Sequence, residues 1–281
     1  MTHHILTLTC PDRPGLVHAV CSGLLEVGGN IIENAQFTEP VTNTFCMRTL
    51  VHTDTSNPDE VRGAIEKHLG NSEATVRVRS ELHRRRVLIM VSKFDHCLVD
   101  LLYRWRNGGL LIDIPVIVSN HPDCQIIADQ YGIPFVHLPV TKQTKTEQEA
   151  QIKTLVAEHD VDLVVLARYM QILSDDLCMF LHGRAINIHH SFLPGFKGAK
   201  PYHQAHERGV KLVGATAHFV TADLDEGPII EQDVARVTHA HTADHLVVLG
   251  QDTERAVLSR AVRYWAEDRI LLVGDKTVVF P

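Results

Sequence analysis

The first 80 residues alternate short apolar strands with amphipathic helices. The pattern predicts strand 5–9, helix 16–27, strands 31–38 and 44–53, a helix that begins at Pro58, and strand 74–78. Asp12 precedes the first helix and is expected to cap it. The order βαββαβ predicts a ferredoxin-like, four-stranded sheet with two helices on one face.

The remainder of the chain has a different pattern, in which short and continuous apolar runs alternate with longer helical stretches. The strand-like runs are 87–91, 115–119, 135–138, 163–167 and 185–188. Continuous apolar strands are typical of a parallel sheet that is buried on both faces. Further strands are expected within 213–237, before one long amphipathic helix over 242–268. This part is therefore predicted to be α/β and Rossmann-like, with a mostly parallel sheet.

A charged stretch at 81–86, which contains three consecutive arginines, separates the two patterns. We place the domain boundary there, with a first domain over 1–82 and a second over 83–281. Arginines at such a junction are more often a solvated linker than a phosphate-binding site.

The composition narrows the classes of partner. The chain has 281 residues, a net charge of −7 and a pI near 6.2, so no broad electrostatic attraction to nucleic acid or to anionic membranes is expected. No apolar run reaches the length of a membrane span, and the first residues lack the features of a secretory signal. The six cysteines are scattered, without a Cys-x-x-Cys pair, which suits reduced thiols. These features predict a cytoplasmic protein that binds neither nucleic acid nor membrane.

Asn187 and His189 are the most informative polar residues. They lie two positions apart where strand 185–188 ends, so their side chains project to the same face. Asp225 follows in a Leu-Asp-Glu-Gly-Pro turn. Asn and protonated His can hold a developing oxyanion, and a carboxylate can keep the imidazole charged or take a proton from water. By itself, an Asn-x-His pair is more often a hydrogen-bonded polar pair at the mouth of a loop than a catalytic site. The surrounding sequence therefore has to distinguish the two interpretations.

The surrounding sequence resembles the folate-dependent formyltransferase family. The matching blocks are 187–203, 214–221 and 224–228, in the family's order. The resemblance implies a catalytic triad of Asn187, His189 and Asp225, with 10-formyltetrahydrofolate as a substrate and with no resident cofactor or metal. It also implies a folate-binding surface formed by Arg168, Tyr169, Met170, Ile172, Leu173, Ser191, Leu193, Gly227 and Pro228.

The first domain resembles the ACT domain, a module that often binds amino acids where two copies pair. The matching residues are Asp12-Arg13-Pro14-Gly15-Leu16-Val17 and Gly29-Asn30-Ile31. The resemblance implies a homo-oligomer and an amino-acid effector bound by Asp12, Arg13, Pro14, Gly15, Gly29 and Asn30. Ordinary turn formation also accounts for Gly15 and for the turn at 28–30, so effector binding stays open.

The segment that follows the first strand of the second domain indicates whether the formyl group passes to water or to an amine. Family members that formylate a ribonucleotide amine carry a glycine-rich turn there, whose N–H groups bind a phosphate. Residues 92–97 contain no glycine, and Phe94, Asp95 and His96 add bulk and negative charge. Water is therefore the expected acceptor, with formate and tetrahydrofolate as products and formate supply to purine synthesis as the implied role. The alternatives are transfer to an amine, and a regulatory binding protein whose second domain is inactive.

Nineteen histidines raise the question of a metal site, for which His241 and His245 have a suitable spacing. Thr242 is expected to cap the helix that follows, which places His241 outside that helix and separates the pair. No metal site is therefore predicted.

Overall fold

The structure is a computed structural model in which residues 2–70, 73–191 and 201–281 are described. The chain divides into two compact units, one formed by residues up to His83 together with Glu267–Pro281, the other by Arg84–Ala266. The sequence pattern assigns all of 83–281 to the second domain, whereas the structure groups Glu267–Pro281 with the first unit. None of the described helices is both long and apolar enough to cross a membrane.

The first unit has the predicted βαββαβ order. Its elements are β1 (Thr2–Pro11), α1 (Leu16–Glu26), β2 (Asn30–Glu39), β3 (Thr44–Thr53), α2 (Pro58–Leu69) and β4 (Thr75–Ser80). The strands are antiparallel in the order β2-β3-β1-β4. Leu6, Leu8 and Met47 from the sheet share one core with Val20 of α1 and Ile65 of α2. Both helices therefore cover the same face, and the ferredoxin-like prediction is confirmed.

Asp12 does not cap α1. The N-cap is Gly15, which adopts a left-handed backbone at φ 90° and makes no side-chain cap bond. The Asp12 carboxylate accepts a hydrogen bond from Thr38 Oγ1 at 3.1 Å instead. The capping prediction is wrong because a cap directly precedes the first helical residue, and the turn at 13–15 separates Asp12 from it.

The second unit is an α/β fold built on an eight-stranded sheet. Its elements are β5 (Arg85–Val91), α3 (His96–Arg106), β6 (Ile112–Asp113), β7 (Ile117–Ser119), α4 (Gln125–Tyr131), β8 (Phe135–His137), α5 (Lys145–Glu158), β9 (Leu163–Leu166), α6 (Asp175–Phe180), β10 (Ala185–His189), α7 (Pro201–Glu207), β11 (Leu212–Phe219), β12 (Ile229–Arg236) and α8 (Ala243–Ala266). The strand order is β12-β11-β10-β9-β5-β7-β8, and β6 pairs with β5 beside this path. The pairs from β10 to β8 are parallel, whereas β11 and β12 join as antiparallel strands. The prediction of a mostly parallel sheet is confirmed.

The central strand β5 shows why the strands of this unit lack an alternation of apolar and polar residues. Its apolar residues are fully buried at consecutive positions, including Leu88, Ile89 and Met90. Leu88 and Met90 pack with Ile152 of α5, while Ile89 projects from the opposite face. Parallel strands end at a common edge, so the chain that follows β5, β9 and β10 meets there, which is where such sheets bind ligands.

The residues after α8 form a hairpin that belongs to the first unit. It consists of β13 (Ile270–Val273) and β14 (Lys276–Val279). Val273 and Phe280 pack against Cys46 of β3, and Arg48 Nε donates to the Glu267 carbonyl at 2.9 Å. Cys46 and Arg48 alternate with the residues of β3 that face the helices. The hairpin therefore covers the opposite face of the small sheet.

Candidate active site

The three predicted catalytic side chains lie together at the end of β10. Asn187 and His189 project from the same face of the strand, and Asp225 approaches from the segment between β11 and β12. His189 Nδ1 lies 3.2 Å from Asp225 Oδ2, and Asn187 Nδ2 donates to Asp225 Oδ1 at 3.5 Å. Asp225 has a left-handed backbone at φ 58°, which aspartate tolerates better than most residues. An amide and an imidazole thus share one carboxylate.

His218 completes this group, and sequence reasoning missed it. It is 2% exposed, its Nδ1 donates to the Phe219 carbonyl at 2.9 Å, and its Nε2 lies 3.6 Å from Asp225 Oδ1. His218 pairs with Asn187 in the register of β10 and β11. The signal was the apolar run 212–219, in which a buried histidine is unusual, but only the register shows which residue it faces.

Asp225 is held as a carboxylate. Burial raises the pKa of its carboxyl, but hydrogen bonds from His189 and His218 lower it more strongly, so the pKa lies well below its usual value. The Asp225 carboxylate also fixes the orientation of the His189 ring through Nδ1. The arrangement therefore places an imidazole beside the amide donor of Asn187.

His189 Nε2 is the ring atom left for a substrate. Among the described residues it has no hydrogen-bond partner, although it is buried. The His190 ring lies alongside, with centroids 5.0 Å apart. Burial, together with the charges of Arg168 and His189, lowers the pKa of His190 to about 4. His190 is therefore neutral near pH 7 and adds no second cation next to His189.

A cavity of about 250 Å³ opens beside this group. One wall is the loop between β9 and α6, in which Met170 is 50% and Ile172 63% exposed. The other wall includes His218 and the segment 220–225. The predicted substrate residues on the wall are Arg168, Tyr169, Met170, Ile172 and Leu173. A cleft lined by apolar side chains with a few polar groups suits a flat heterocycle.

The cavity wall also differs from the prediction. Of the described wall residues, none is Ser191, Gly227 or Pro228. Gly227 packs against β11, where an added Cβ would lie 1.8 Å from the Phe219 carbonyl oxygen, so its role is to let the Asp225 segment approach that strand. The Ser191 carbonyl accepts a hydrogen bond from Thr216 Oγ1 at 3.0 Å. Leu193, also predicted to contact substrate, lies outside the described residues.

The start of the loop is fixed from β5. Arg168 has φ 64°, and its carbonyl accepts a hydrogen bond from Ser92 N at 3.3 Å. Met170 N donates to Ser92 Oγ at 2.9 Å, and Ser92 Oγ donates to Asn120 Oδ1 at 2.6 Å. The strained backbone of Arg168 is therefore held by the ends of two neighbouring strands.

Behind this wall, three side chains contact the carboxylate of Glu254 in α8. It is 1% exposed, accepts from Tyr202 Oη at 2.6 Å and pairs with His96 Nε2 at 2.7 Å, while Arg168 Nε lies 3.3 Å away. Burial raises the pKa of its carboxyl, but His96, Arg168 and Tyr202 lower it more, so Glu254 stays charged. The beginning of α3, which forms the end of segment 92–97, therefore already faces an internal carboxylate.

This cluster is also a group of potential metal ligands within the described ranges, formed by His96, Cys97 and Glu254. Burial raises the pKa of the Cys97 thiol well above its usual value, and the Arg168 guanidinium lies beside Glu254. Both features disfavour a cation. The other candidate, His241, precedes α8, and its Nδ1 accepts from Thr238 N at 3.1 Å.

The predicted effector residues lie only partly together. Asp12, Arg13 and Gly15 line a second cavity with Gln36 and Thr38. Arg13 directs one guanidinium nitrogen to the Leu69 carbonyl at 2.8 Å. Three predicted residues are not on the described wall of this cavity, namely Pro14, Gly29 and Asn30. An added Cβ at Gly29 would lie 2.7 Å from the Leu24 carbonyl oxygen, so that glycine serves the end of α1.

Both units match known families. Residues 85–262 match the formyl transferase family and residues 4–70 match the ACT domain. A formyltetrahydrofolate deformylase from Synechocystis is 48% identical over 278 residues, which are 98% of this chain and 97% of that protein. The crystal structure of a formyltetrahydrofolate deformylase from Burkholderia mallei is 49% identical, with a TM-score of 0.96 over 100% of both chains.

A more distant structural relative matches the second unit. Glycinamide ribonucleotide transformylase 1 from Symbiobacterium toebii is 30% identical with a TM-score of 0.66, covering 71% of this chain and 95% of that one. The near-complete matches are thus to proteins that combine both units. The chain belongs to the formyl transferase family, among its formyltetrahydrofolate deformylases.

Proposed function

We propose that this protein hydrolyses 10-formyltetrahydrofolate to formate and tetrahydrofolate. The observation that carries the proposal is the convergence of Asn187, His189 and Asp225 at one end of an apolar cavity. The near-complete similarity to deformylases supports it. Hydrolysis of the formyl group would supply formate for purine synthesis and regenerate tetrahydrofolate.

The chemistry follows from the donors around the cavity. A water oxygen attacks the formyl carbon, and the electron pair of the carbonyl moves onto its oxygen. Asn187 Nδ2 and His189 Nε2 donate to that oxyanion, and Asp225 keeps His189 protonated. Asp225 or a water beside it takes the proton of the attacking water, and His189 passes a proton to N10 as the C–N bond breaks. The products are formate and tetrahydrofolate, and no resident metal or cofactor is proposed.

The choice of water as acceptor is part of the proposal. Segment 92–97 offers no glycine-rich turn, and His96 at the start of α3 is paired with Glu254. Transfer to an amine is the alternative, favoured by the similarity of the second unit to a transformylase. The similarity of both units to deformylases favours hydrolysis.

The first unit is proposed to pair with a second copy and to bind an amino acid. β2 is an edge strand of its sheet, and Ile31, Ile32 and Phe37 are exposed on it. Long edge strands with exposed apolar side chains tend to pair. Asp12 and Arg13 offer opposite charges near the second cavity, which suits a zwitterion.

Formate release tests the proposed activity. The purified protein is incubated with 10-formyltetrahydrofolate, and formate and tetrahydrofolate are quantified over time with and without a chelator. Equal amounts of both products, with no effect of the chelator, are expected. Activity that disappears on chelation and returns with zinc contradicts the metal-free mechanism, and absence of formate contradicts the function.

A further inference from the structure

The loop between β9 and α6 is held at both ends by two adjacent residues of α5. At its start, Gln148 Nε2 donates to Tyr169 Oη at 2.8 Å. At its end, Ser174 N donates to Glu149 Oε1 at 2.9 Å, and the Ser174 hydroxyl donates to Glu149 Oε2. The residues between these anchors, 170–173, all line the cavity beside His189.

Gln148 and Glu149 are unusual residues to bury side by side on a helix. They are 5% and 6% exposed, and burying an amide or a carboxylate is unfavourable unless hydrogen bonds replace those with water. Among the described residues, the side-chain replacements come from the loop, and Lys145 Nζ also lies 3.9 Å from Glu149 Oε1. Neighbouring helical residues point about 100° apart, so the two side chains reach two separate points of the loop.

Tyr169 and Leu173 pack on the core of the second unit, but the apolar side chains at the middle of the loop contribute little packing. Met170 and Ile172 are 50% and 63% exposed at the cavity mouth, so they bury little surface when the protein is empty. Tyr169 is 6% exposed and points inward, where its hydroxyl meets Gln148. Ser174 also caps α6 by accepting from Leu177 N at 3.2 Å, so Glu149 fixes the start of that helix as well.

We propose that Gln148 and Glu149 are positioning residues that set the shape of the folate-binding wall through Tyr169 and Ser174. Neither residue lines the cavity, so both act on binding through the loop. The inference rests on the proposed function for the identity of the ligand. A wall that is held rigidly before the ligand arrives loses less entropy on binding, which appears as affinity.

Two variants and two matched controls test this inference. Glu149→Gln replaces one of the two accepting carboxylate oxygens by an NH2 group, which cannot accept, and Gln148→Leu removes the donor to Tyr169. Glu147→Gln and Gln151→Leu make the same changes at exposed positions of α5. Formate release gives kcat and KM for 10-formyltetrahydrofolate, and calorimetry gives Kd for tetrahydrofolate. Thermal unfolding shows that each variant is folded.

The expected result is weaker ligand binding with an unchanged rate of the chemical step. In both variants KM and Kd should rise about 5–10-fold while kcat stays within about twofold, which is the signature of lost uniform binding. The controls should match the unmodified protein. Unchanged KM and Kd, or a fall in kcat at constant KM, would overturn the proposal.

A second variant covers the case in which Gln148→Leu does not fold. Tyr169→Phe removes the same hydrogen bond by deleting one oxygen and should raise Kd by the same factor; an unchanged Kd contradicts the role of this bond. Where Gln148→Leu is folded, the double variant should bind no more weakly than either single one. The Kd measurement does not depend on turnover. If the unmodified protein releases no formate but the variants bind tetrahydrofolate more weakly, the proposed function is contradicted and this inference is supported.

Discussion

Asn187 and His218 face each other across the antiparallel pair of β10 and β11, with Asn187 Nδ2 3.3 Å from His218 Nε2. Because His218 Nδ1 donates to the Phe219 carbonyl, Nε2 is the ring atom that faces both Asn187 and Asp225. The amide nitrogen of Asn187 is thereby held between His218 Nε2 at 3.3 Å and Asp225 Oδ1 at 3.5 Å. His218 thus fixes the direction in which Asn187 donates.

His218→Ala should therefore lower kcat by about 10-fold, less than the loss of a direct oxyanion donor. The reason is that Asn187 loses an orienting partner and Asp225 loses a neighbouring donor. Steady-state formate release measures the effect, and His239→Ala, at an exposed position, is the control. A folded His218→Ala protein with normal kcat would show that the Asn187 amide needs no such partner.

Replacement of Asn187, His189 or Asp225 by Ala should each lower kcat by roughly 10²-fold or more, because each removes a transition-state donor or an acid–base group. The variants should remain folded by circular dichroism, since these side chains lie at a strand end. Because the three act as a unit, double variants should lose much less than the product of the single losses. A variant that retains near-normal kcat removes its residue from the mechanism.

Stability should depend on pH through His190. Its pKa is about 4 in the folded protein, below the value of 6.5 for a free histidine. Between these values the unfolded chain binds more protons than the folded one, so the free energy of unfolding decreases as the pH falls from about 6.5 to about 4. Urea unfolding at pH 7 and pH 5 measures this loss. His190→Gln should show a smaller loss over the same interval, and an equal loss in both proteins would contradict the prediction.

Glycinamide ribonucleotide should not act as an acceptor of the formyl group. Phe94, which is 50% exposed, obstructs the approach of a phosphate to segment 92–97, and Asp95 repels it. Adding this compound at millimolar concentration should leave the rate of formate release unchanged and give no formylated product. Formylated ribonucleotide that accumulates at the rate of formate release would identify a transferase.

The protein should sediment as a homo-oligomer at micromolar concentration. Ile32, which is 48% exposed on the edge strand β2, is expected in the pairing surface. Ile32→Lys should weaken association, since a charge on an edge strand opposes pairing. A monomer in sedimentation velocity refutes the pairing, and formate release that is unchanged across a panel of free amino acids would leave the first unit without an effector role.

The sequence was informative where a local pattern determines geometry. The two-residue spacing of Asn187 and His189 on a strand is enough to place them on one face. Asp225 could be chosen only through the resemblance, because nothing local brings it to β10. His218 was missed because its position opposite Asn187 depends on strand register, which short apolar patterns do not specify. The hairpin at 270–279 was missed because its partner, Cys46 on β3, is more than 220 positions away in the chain.

That hairpin has a consequence for the order of events during synthesis. The small sheet is translated first, but the strands that cover its second face follow only after the whole of Arg84–Ala266. Until then Cys46 and Arg48 lack their partners Phe280 and Glu267. Although domains generally fold as units as they emerge from the ribosome, the first unit here cannot be completed before the catalytic unit has been synthesised. A ribosome that stalls near α8 would therefore leave the small sheet covered on one face only.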